Sequence, residues 1–309
     1  MIFDKQFVDN IQKAIDTKDE SFFWRYLSPK KQEIRKRAFS SALMVSAHKA
    51  KHLNKLDELE CDAAIINLED GVAPEFKRIA LLAAALFLQQ KRDNMPLLIV
   101  RINPLQEGGK EEIEILNRFY PDSIRIPKVR NLVEIKEGLK LIDDAIGLDF
   151  SVETKEAFER LHTFKQESRV GAAFLGILDL LSDLTIPQNL LKIGNPTIDY
   201  ILARFLVDAK SAGIEPVSFV YQDYKNLDEF EAWCRYEKDM GFEAKACISP
   251  EQVKIVNRIF KSFDKTKALY IKKRFEEMKR QGVTGFVDEK YGFIDEPIYK
   301  DALNTLRKT

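Results

Sequence analysis

Short apolar runs alternate with amphipathic segments along the chain after Phe39. Eight runs have the length and composition of strands buried on both faces: Ala42–Val45, Ala63–Leu68, Leu97–Ile102, Ser123–Ile126, Asp149–Val152, Val170–Leu175, Val217–Val220 and Ala244–Ile248. Eight segments with helical spacing of apolar residues follow them: Lys49–Leu56, Glu75–Gln90, Glu111–Phe119, Leu132–Ile142, Lys155–Phe164, Pro196–Ala212, Leu227–Met240 and Glu251–Ile259. This alternation predicts an α/β fold, a (β/α)8 TIM barrel over residues 39–260.

An open, doubly wound parallel sheet is the alternative for the same pattern. Such sheets commonly bind dinucleotides at a glycine-rich GxGxxG turn after a strand. No predicted strand in this chain is followed by that turn. The barrel is therefore the favoured fold.

The two ends of the chain depart from the alternating pattern. Residues 1–38 predict an N-terminal helical arm, because Phe7, Ile11 and Ile15 recur every four positions. Residues 261–309 predict a C-terminal helical extension, whose first helix carries Ala268, Ile271, Phe275 and Met278 on one face. An apolar face of this kind favours packing against other protein over exposure to water.

Composition and charge narrow the class of protein. The 309 residues include 49 Lys plus Arg and 49 Asp plus Glu, so the net charge is zero and nothing indicates binding to nucleic acid or to an anionic membrane. Three scattered cysteines argue against a disulfide framework. The N-terminus lacks the apolar core of a signal peptide, and no apolar run is long enough to span a membrane. We expect a cytoplasmic protein.

Two carboxylates follow neighbouring predicted strands. Glu153 comes after the fifth strand and Asp179 after the sixth, and strand ends of this kind meet at one mouth of a barrel. Carboxylates without His or Cys beside them suit a hard cation that keeps several waters, so Mg²⁺ is the expected metal. The alternative is that Glu153 caps one helix and Asp179 opens the next.

Other strand ends add charged groups to the same mouth. Glu69 and Asp70 follow the second strand, Arg101 ends the third, and the fourth carries Arg125 and Lys128. Among carboxylates, Arg101 is either an anion clamp or part of a salt-bridge network. We expect Arg101, Glu69, Asp70 and Lys128 to bind the substrate. No His or Cys has the neighbours of a metal ligand or of a nucleophilic triad.

A series of motifs resembles the citrate lyase β-subunit family, whose relatives include malyl-CoA and citramalyl-CoA lyases. The matching segments are LEDGVAPEFK (68–77), VRIN (100–103), IRIPKVR (124–130), VET (152–154), GILDL (176–180), LARFLVDAKSAGIEPVSFVYQDYKN (202–226), KACISPEQVKIVN (245–257) and YGFIDEPIYKDAL (291–303). Each is weak alone, but eight in the family's order make the resemblance specific.

The resemblance implies roles for four residues. The family's Mg²⁺ ligands fall on Glu153 and Asp179, and its substrate-binding arginine falls on Arg101. An aspartate in the family's terminal GxxxDxP motif, which covers a neighbouring subunit's active site, falls on Asp295. The resemblance also implies a homotrimer or a hexamer, with Asp295 as a catalytic group for proton transfer.

The implied activity is Mg²⁺-dependent cleavage or formation of a carbon–carbon bond. A malyl, citramalyl or citryl thioester of coenzyme A or of an acyl carrier protein would give a 2-oxo acid and an acyl thioester. Thioesterase or malate-synthase-like chemistry at the same site is the alternative.

A barrel that binds carboxylates without catalysis is a further alternative. It is favoured by departures from the family's motifs: the first strand reads SSALMVSA (40–47), and Asn67 and Ser249 replace an aspartate and a histidine.

Overall fold

The computed structural model describes residues 1–36, 38–91, 94–165, 167–262 and 265–307. The chain forms two compact units, Met1–Asn257 and Arg258–Thr309. Within the described residues, no helix combines the length and the apolar character needed to cross a membrane.

The first unit begins with two short helices, α1 (Lys5–Asp16) and α2 (Glu20–Tyr26). Val8, Ile11 and Ile15 are buried on one face of α1, close to the predicted spacing. The prediction that the whole arm is helical is wrong beyond Tyr26, where the described residues up to Phe39 contain no helix. Pro29 explains the break, because a proline disfavours helical backbone at the preceding residue.

Eight parallel strands close into a barrel in sequence order, with β8 pairing back onto β1. Their bounds are β1 Ser41–Ser46, β2 Ala63–Asn67, β3 Leu97–Arg101, β4 Ser123–Ile126, β5 Gly147–Val152, β6 Val170–Leu175, β7 Glu215–Ser218 and β8 Ala244–Cys247. The predicted fold is confirmed, and every predicted strand end lies within two residues of the observed one.

Nine helices of the described chain connect or follow the strands. They are α3 Ala50–Leu53, α4 Lys77–Leu88, α5 Lys110–Leu116, α6 Leu132–Leu141, α7 Lys155–Arg160, α8 Ile177–Asp183, α9 Pro196–Ser211, α10 Leu227–Met240 and α11 Pro250–Phe260. Asn131 caps the start of α6, since its side chain accepts hydrogen bonds from the backbone N–H groups of Val133 and Glu134. Helix α8 is absent from the sequence-based assignment.

Small and large side chains alternate inside the barrel. The buried cluster consists of Ala42, Ala63, Ile65, Leu97, Ile99, Ala172, Phe174, Val217, Ala244 and Ala246. Such layers of inward-facing residues make the barrel interior a packed core. Polar inward-facing residues are found towards the carboxyl ends of the strands, where Asn67 pairs in register with Arg101, and Arg101 with Arg125.

The second unit is a small α/β module of its own. Helix α12 (Lys265–Arg280) precedes an antiparallel hairpin, β9 (Gly285–Asp288) and β10 (Gly292–Asp295), and helix α13 (Glu296–Arg307) follows. Ala268, Ile271 and Phe275 of α12 are buried in one cluster with Ile294 and Ala302. The apolar face predicted for this helix thus has its partner within the unit. The hairpin was not predicted.

Candidate active site

A cavity of about 300 Å³ opens at the carboxyl ends of the barrel strands. Its lining includes four of the residues that the sequence singles out as site candidates, Asp70, Arg101, Glu153 and Asp179. The other lining residues are Met44, Asn67, Gly71, Arg125, Leu175, Gly176, Ile177, Leu178, Phe219, Val220, Gln222 and Ile248. The cavity therefore joins an acidic and basic side to an apolar side.

Glu153 directly follows β5 and is buried. One of its carboxylate oxygens accepts a hydrogen bond of 2.6 Å from the backbone N–H of Lys128. Lys128 has a left-handed backbone, with φ of 51°, a conformation that costs a non-glycine residue about 1 to 3 kcal/mol. Burial raises the pKa of Glu153, and the nearby positive charge of Arg125 partly opposes that rise.

Gly176 allows the backbone before α8 to approach this carboxylate. A Cβ atom at position 176 would lie 2.5 Å from Oε2 of Glu153 and 2.7 Å from its Cβ. Because both contacts are too short, no other residue fits here without displacing Glu153. Gly71, which also lines the cavity, has a positive φ of 82°, whereas Gly176 does not.

Asp179 lies in the first turn of α8 and is exposed. The structure therefore agrees, for Asp179, with the alternative that this residue opens the next helix. Glu153, in contrast, is not a cap, because α7 is capped by Thr154, whose hydroxyl accepts a hydrogen bond from the N–H of Ala157. Both carboxylates nevertheless line the same cavity.

These two side chains offer oxygen ligands for a cation. Glu153 has no ion-pair partner within 4 Å among the described residues, so only the more distant charges of Arg125 and Arg101 offset its buried charge. The described chain contains no group of three or more His, Cys, Asp or Glu residues placed to hold a metal together. Two carboxylates at an open cavity fit Mg²⁺, which takes its remaining ligands from water and substrate, better than a metal that needs a complete protein shell.

Arg101 is buried at the end of β3 and is held by the last residue of β2 and by two residues that follow this strand. Its Nε donates to Oδ1 of Asn67 at 2.7 Å, and Nη1 lies 3.0 Å from Oε2 of Glu69. Nη2 lies 3.7 Å from Oδ2 of Asp70. Asn67, which departs from the family motif, therefore orients the arginine.

Glu69 forms ion pairs with both Arg101 and Lys128. Nζ of Lys128 lies 3.1 Å from Oε1 of Glu69, so this buried carboxylate bridges two cations. Burial alone would lower the pKa of Lys128, but the hydrogen bond and charge of Glu69 outweigh it and raise that pKa. Neither residue is among those that line the cavity in the described chain. Glu69 contacts Arg101, and Lys128 contacts Glu69, so the contact with substrate that we expect of both residues stays a prediction.

A polar network that the sequence analysis missed fixes the same loops. Glu112 of α5 accepts hydrogen bonds from the backbone N–H and the Nδ2 of Asn103, at 2.7 and 2.5 Å. Asn103 in turn accepts a hydrogen bond from Nζ of Lys77, which also donates to the carbonyl of Glu69 at 3.1 Å. Burial raises the pKa of Glu112 to about 7. The spacing of nine residues between Asn103 and Glu112 gives no sequence signal for this contact.

Arg125 is the second guanidinium at the cavity. Its place at the end of the fourth predicted strand predicts that it lies at the mouth of the barrel, but predicts no role for it. It projects inward from β4, is buried, and donates from Nε and Nη2 to the hydroxyl of Ser151 at 3.0 and 2.8 Å. Burial, reinforced by repulsion from Arg101, lowers the pKa of Arg125 to about 9.

The family model described as HpcH/HpaI aldolase/citrate lyase matches residues 40–250, which contain the barrel strands and the whole cavity lining. The chain belongs to this family. The resemblance drawn from the motifs is thereby confirmed.

Relatives within the HpcH/HpaI aldolase/citrate lyase family cover most of the chain. A (3S)-malyl-CoA thioesterase from Cereibacter sphaeroides is 30% identical over 79% of this chain and 85% of its own length. A mitochondrial citramalyl-CoA lyase from Homo sapiens is 28% identical over 86% and 84%. Among solved structures, the CitE protein of Mycobacterium tuberculosis in complex with magnesium, acetoacetate and coenzyme A superposes with a TM-score of 0.68 at 20% identity. That alignment covers 88% of this chain and 98% of the other. At that identity the structural likeness supports the fold alone.

Asp295 lies in the second unit, at the end of β10. Its Oδ1 accepts a hydrogen bond from the backbone N–H of Ile298 at 3.2 Å, so it contacts the first turn of α13. The side chain is partly exposed. Its predicted catalytic role in a neighbouring subunit remains a prediction.

Proposed function

We propose that this protein is a Mg²⁺-dependent carbon–carbon lyase that cleaves or forms a 3-hydroxyacyl thioester. In cleavage, the substrate hydroxyl loses its proton and becomes the carbonyl of the 2-oxo acid as the bond between C2 and C3 breaks. The electron pair of that bond stays on C2 of the acyl thioester as an enolate, which then takes up a proton. The observation that carries the proposal is the convergence of Glu153, Asp179 and Arg101 on one cavity in a chain of the HpcH/HpaI aldolase/citrate lyase family.

Glu153 and Asp179 would hold the metal. When bound, Mg²⁺ supplies a Lewis acid for the oxygen atoms of the oxo-acid half, where negative charge develops. Glu153 is preorganised for this role by the backbone N–H of Lys128 and by the close approach of Gly176. Asp179 is exposed and lines the same cavity.

Arg101 would stabilise the developing charge on the substrate oxygen. Its contacts with Asn67 and Glu69 fix the plane of the guanidinium before substrate binds, so little reorganisation is needed. The 3.7 Å contact with Asp70 is the longest of the three and is the one we expect substrate to replace.

We assign proton transfer at the acyl carbon to Asp295 of a neighbouring subunit, in a homotrimer or a hexamer. Residues 261–309 would then cover a site whose metal and arginine belong to another chain. Support comes from the motif match at residues 292–297 and from the absence of histidine among the described cavity residues.

Thioesterase chemistry is the second candidate. It is favoured by the Cereibacter sphaeroides relative, which is named for hydrolysis of malyl-CoA. The same residues would serve, with water attacking the thioester carbonyl. Coenzyme A and an acyl carrier protein remain alternative carriers. All three cysteines are buried thiols, which fits a reducing compartment, and we place the protein in the cytoplasm.

Product analysis separates the two candidates. The purified protein is incubated with malyl, citramalyl and citryl thioesters of coenzyme A, with and without Mg²⁺, and products are identified by mass spectrometry. A lyase releases a 2-oxo acid and an acyl thioester, whereas a thioesterase releases the intact hydroxy acid and free thiol. Turnover of none of the thioesters, by protein that binds Mg²⁺ and oxo acid, would replace both candidates with a carboxylate-binding barrel.

A further inference from the structure

Arg125 is a cation that the proposed chemistry does not use. It lines the cavity, and its side chain is almost fully buried, with 4% of the residue exposed. The hydroxyl of Ser151 accepts hydrogen bonds from two of its nitrogens, Nε and Nη2. The guanidinium carbon lies 4.1 Å from the ring centre of Phe174. A hydroxyl and an aromatic face hold the group in place but supply no negative charge.

The other cations near the cavity have carboxylate partners. Arg101 pairs with Glu69 and Asp70, and Lys128 pairs with Glu69. Within the described residues, no carboxylate oxygen lies within 4 Å of the Arg125 guanidinium, and no hydrogen-bond acceptor contacts its Nη1. A buried charge without a partner is costly, by several kcal/mol in real proteins. Three carboxylates act on Arg125 from beyond ion-pair distance, those of Glu153, Glu69 and Asp149. Glu69 already pairs with Arg101 and Lys128, Asp149 accepts a hydrogen bond from the backbone N–H of Ala172, and in the proposed function Glu153 is committed to the metal.

The remaining walls of the cavity restrict where an incoming anion can sit. Met44, Phe219, Val220 and Ile248 form an apolar side on the β1, β7 and β8 part of the barrel. The anion-binding groups are thus confined to the β3 to β6 part, which also carries the two metal-binding candidates. Because Arg125 is buried, its partner must be a small group that enters the barrel, and the bulky phosphates of coenzyme A do not meet that condition.

We infer that Arg125 binds a second carboxylate on the oxo-acid half of the substrate, so that the 2-oxo acid released is a dicarboxylate of the oxaloacetate type. This inference rests on the proposed function. A carboxylate opposite a buried guanidinium forms a charge-assisted pair. Pyruvate and glyoxylate have only one carboxylate, and once the metal holds it, they have no second one to pair with Arg125. The preferred thioester would then be the citryl type over the malyl and citramalyl types.

Calorimetric titration with oxo acids tests the inference directly. Wild-type protein is titrated with oxaloacetate and with pyruvate at one fixed concentration of free Mg²⁺, so that metal binding by the acids in solution cancels. We expect oxaloacetate to bind at least about tenfold more tightly, which corresponds to about 1.4 kcal/mol. In Arg125→Met the ratio of the two affinities should fall below about threefold. Arg235→Met, which removes an exposed arginine of α10, is the matched control and should keep the wild-type ratio.

Equal affinities in the wild type, or a preference that survives in Arg125→Met, would overturn the inference. If the methionine variant does not fold, Arg125→Gln takes its place, and the ratio of the two affinities should fall in the same way. Turnover assays keep the two proposals separate. Thioester cleavage without an Arg125-dependent preference would support the proposed lyase function and contradict the binding of a second carboxylate by Arg125. Arg125-dependent oxaloacetate binding without any cleavage would support the binding of that carboxylate and contradict the lyase function.

Discussion

At the scale of single residues, the mouth of the barrel holds more buried charge than its ion pairs neutralise. Glu69 lies between Arg101 and Lys128, whereas Glu153 and Arg125 have no partner within ion-pair distance among the described residues. Burial raises the pKa of Glu153 and lowers that of Arg125. Each change means that burial makes the charged form of the side chain less stable than it is in water. A metal and a substrate anion are the ligands that would offset these two costs.

Replacing Arg101 by lysine tests how specific the arginine is. The guanidinium reaches Asn67, Glu69 and Asp70 with three different nitrogens, and a single ammonium group reproduces one of these contacts at a time. We expect kcat/KM for the thioester to fall by about 100-fold, a loss on the scale of one oxyanion-stabilising donor. Steady-state kinetics provide the measurement, and a lysine variant with wild-type kcat/KM would remove Arg101 from the site.

Glu112 makes stability depend on pH near neutrality. Its pKa is about 7 in the folded protein, against 4.5 for an unperturbed glutamate, because burial disfavours its charge. The unfolded chain loses this proton first, so the stabilisation is complete below pH 4.5 and is lost as pH rises through 7. Between pH 5 and pH 8 we expect Glu112 to account for about 2 to 3 kcal/mol of lost unfolding free energy.

Urea denaturation of wild type and Glu112→Gln at pH 5 and pH 8 checks this expectation. The difference between the two proteins isolates Glu112, because buried acids such as Asp149 and Glu237 titrate alike in both. Parallel pH profiles for the two proteins would show that Glu112 is ionised throughout.

At the scale of secondary-structure elements, a buried ion pair joins α10 to the barrel. Nζ of Lys245 on β8 lies 2.7 Å from Oε1 of Glu237 and donates to the carbonyl of Phe219 at 2.9 Å. Both side chains are fully buried. Since Phe219 lines the cavity, this pair connects the packing of α10 to the apolar side of the site.

Breaking the pair should be far more damaging than replacing it. Lys245→Met leaves Glu237 buried and unpaired, for which we expect a loss of about 3 to 5 kcal/mol in unfolding free energy. The double variant Lys245→Met with Glu237→Leu should recover most of that loss. A double-mutant cycle by chemical denaturation measures the coupling. If the two single losses simply add, the pair is not the interaction that stabilises this junction.

Elements of the barrel are readable from sequence because each strand is buried on both faces and each long helix has an apolar stripe. Helix α8 escaped the assignment because its seven residues are too few to establish a period, and this placed Asp179 at a strand end instead of in a helix. The non-helical segment after Tyr26 and the β9–β10 hairpin were missed because local apolar content suggests neither.

Side-chain partnerships within the site were less predictable than its location. Strand ends indicate which residues share the mouth, and Glu153, Asp179 and Arg101 do line one cavity. Whether Glu69 contacts substrate or Arg101 depends on contacts between neighbouring strands. Such contacts join residues that are far apart in the chain, as Asn67 and Arg101 are, 34 positions apart. Arg125 received no role because a strand-end arginine has the same sequence signature whether or not a carboxylate lies beside it.

At the scale of the whole molecule, the proposed active site is divided between two chains. The metal-binding and anion-binding candidates lie in the unit Met1–Asn257, and Asp295 lies in the unit Arg258–Thr309. In the monomer described here Asp295 caps the start of α13, which is a sufficient structural reason for an aspartate at that position. Its catalytic assignment therefore needs a test that a cap would fail.

Subunit mixing supplies that test. Asp295→Asn and Glu153→Gln should each be inactive, yet a mixed oligomer contains sites in which an intact Asp295 serves an intact Glu153. We expect partial recovery of thioester cleavage after the two variants exchange subunits. Asparagine keeps the capping interaction, so loss of activity in Asp295→Asn does not reflect an unfolded α13. Verified exchange without recovery would leave Asp295 with its structural role.

The central claim is that Glu153 and Asp179 hold a Mg²⁺ on which carbon–carbon cleavage depends. The most direct measurement is 2-oxo acid release from the preferred thioester by wild type, Glu153→Gln and Asp179→Asn, after chelation and across a Mg²⁺ titration. The account predicts no release by chelated wild type, full recovery on adding Mg²⁺, and no recovery in either folded variant. Release of 2-oxo acid at the same rate with chelator present, or by both variants at ordinary Mg²⁺ concentrations, would contradict it.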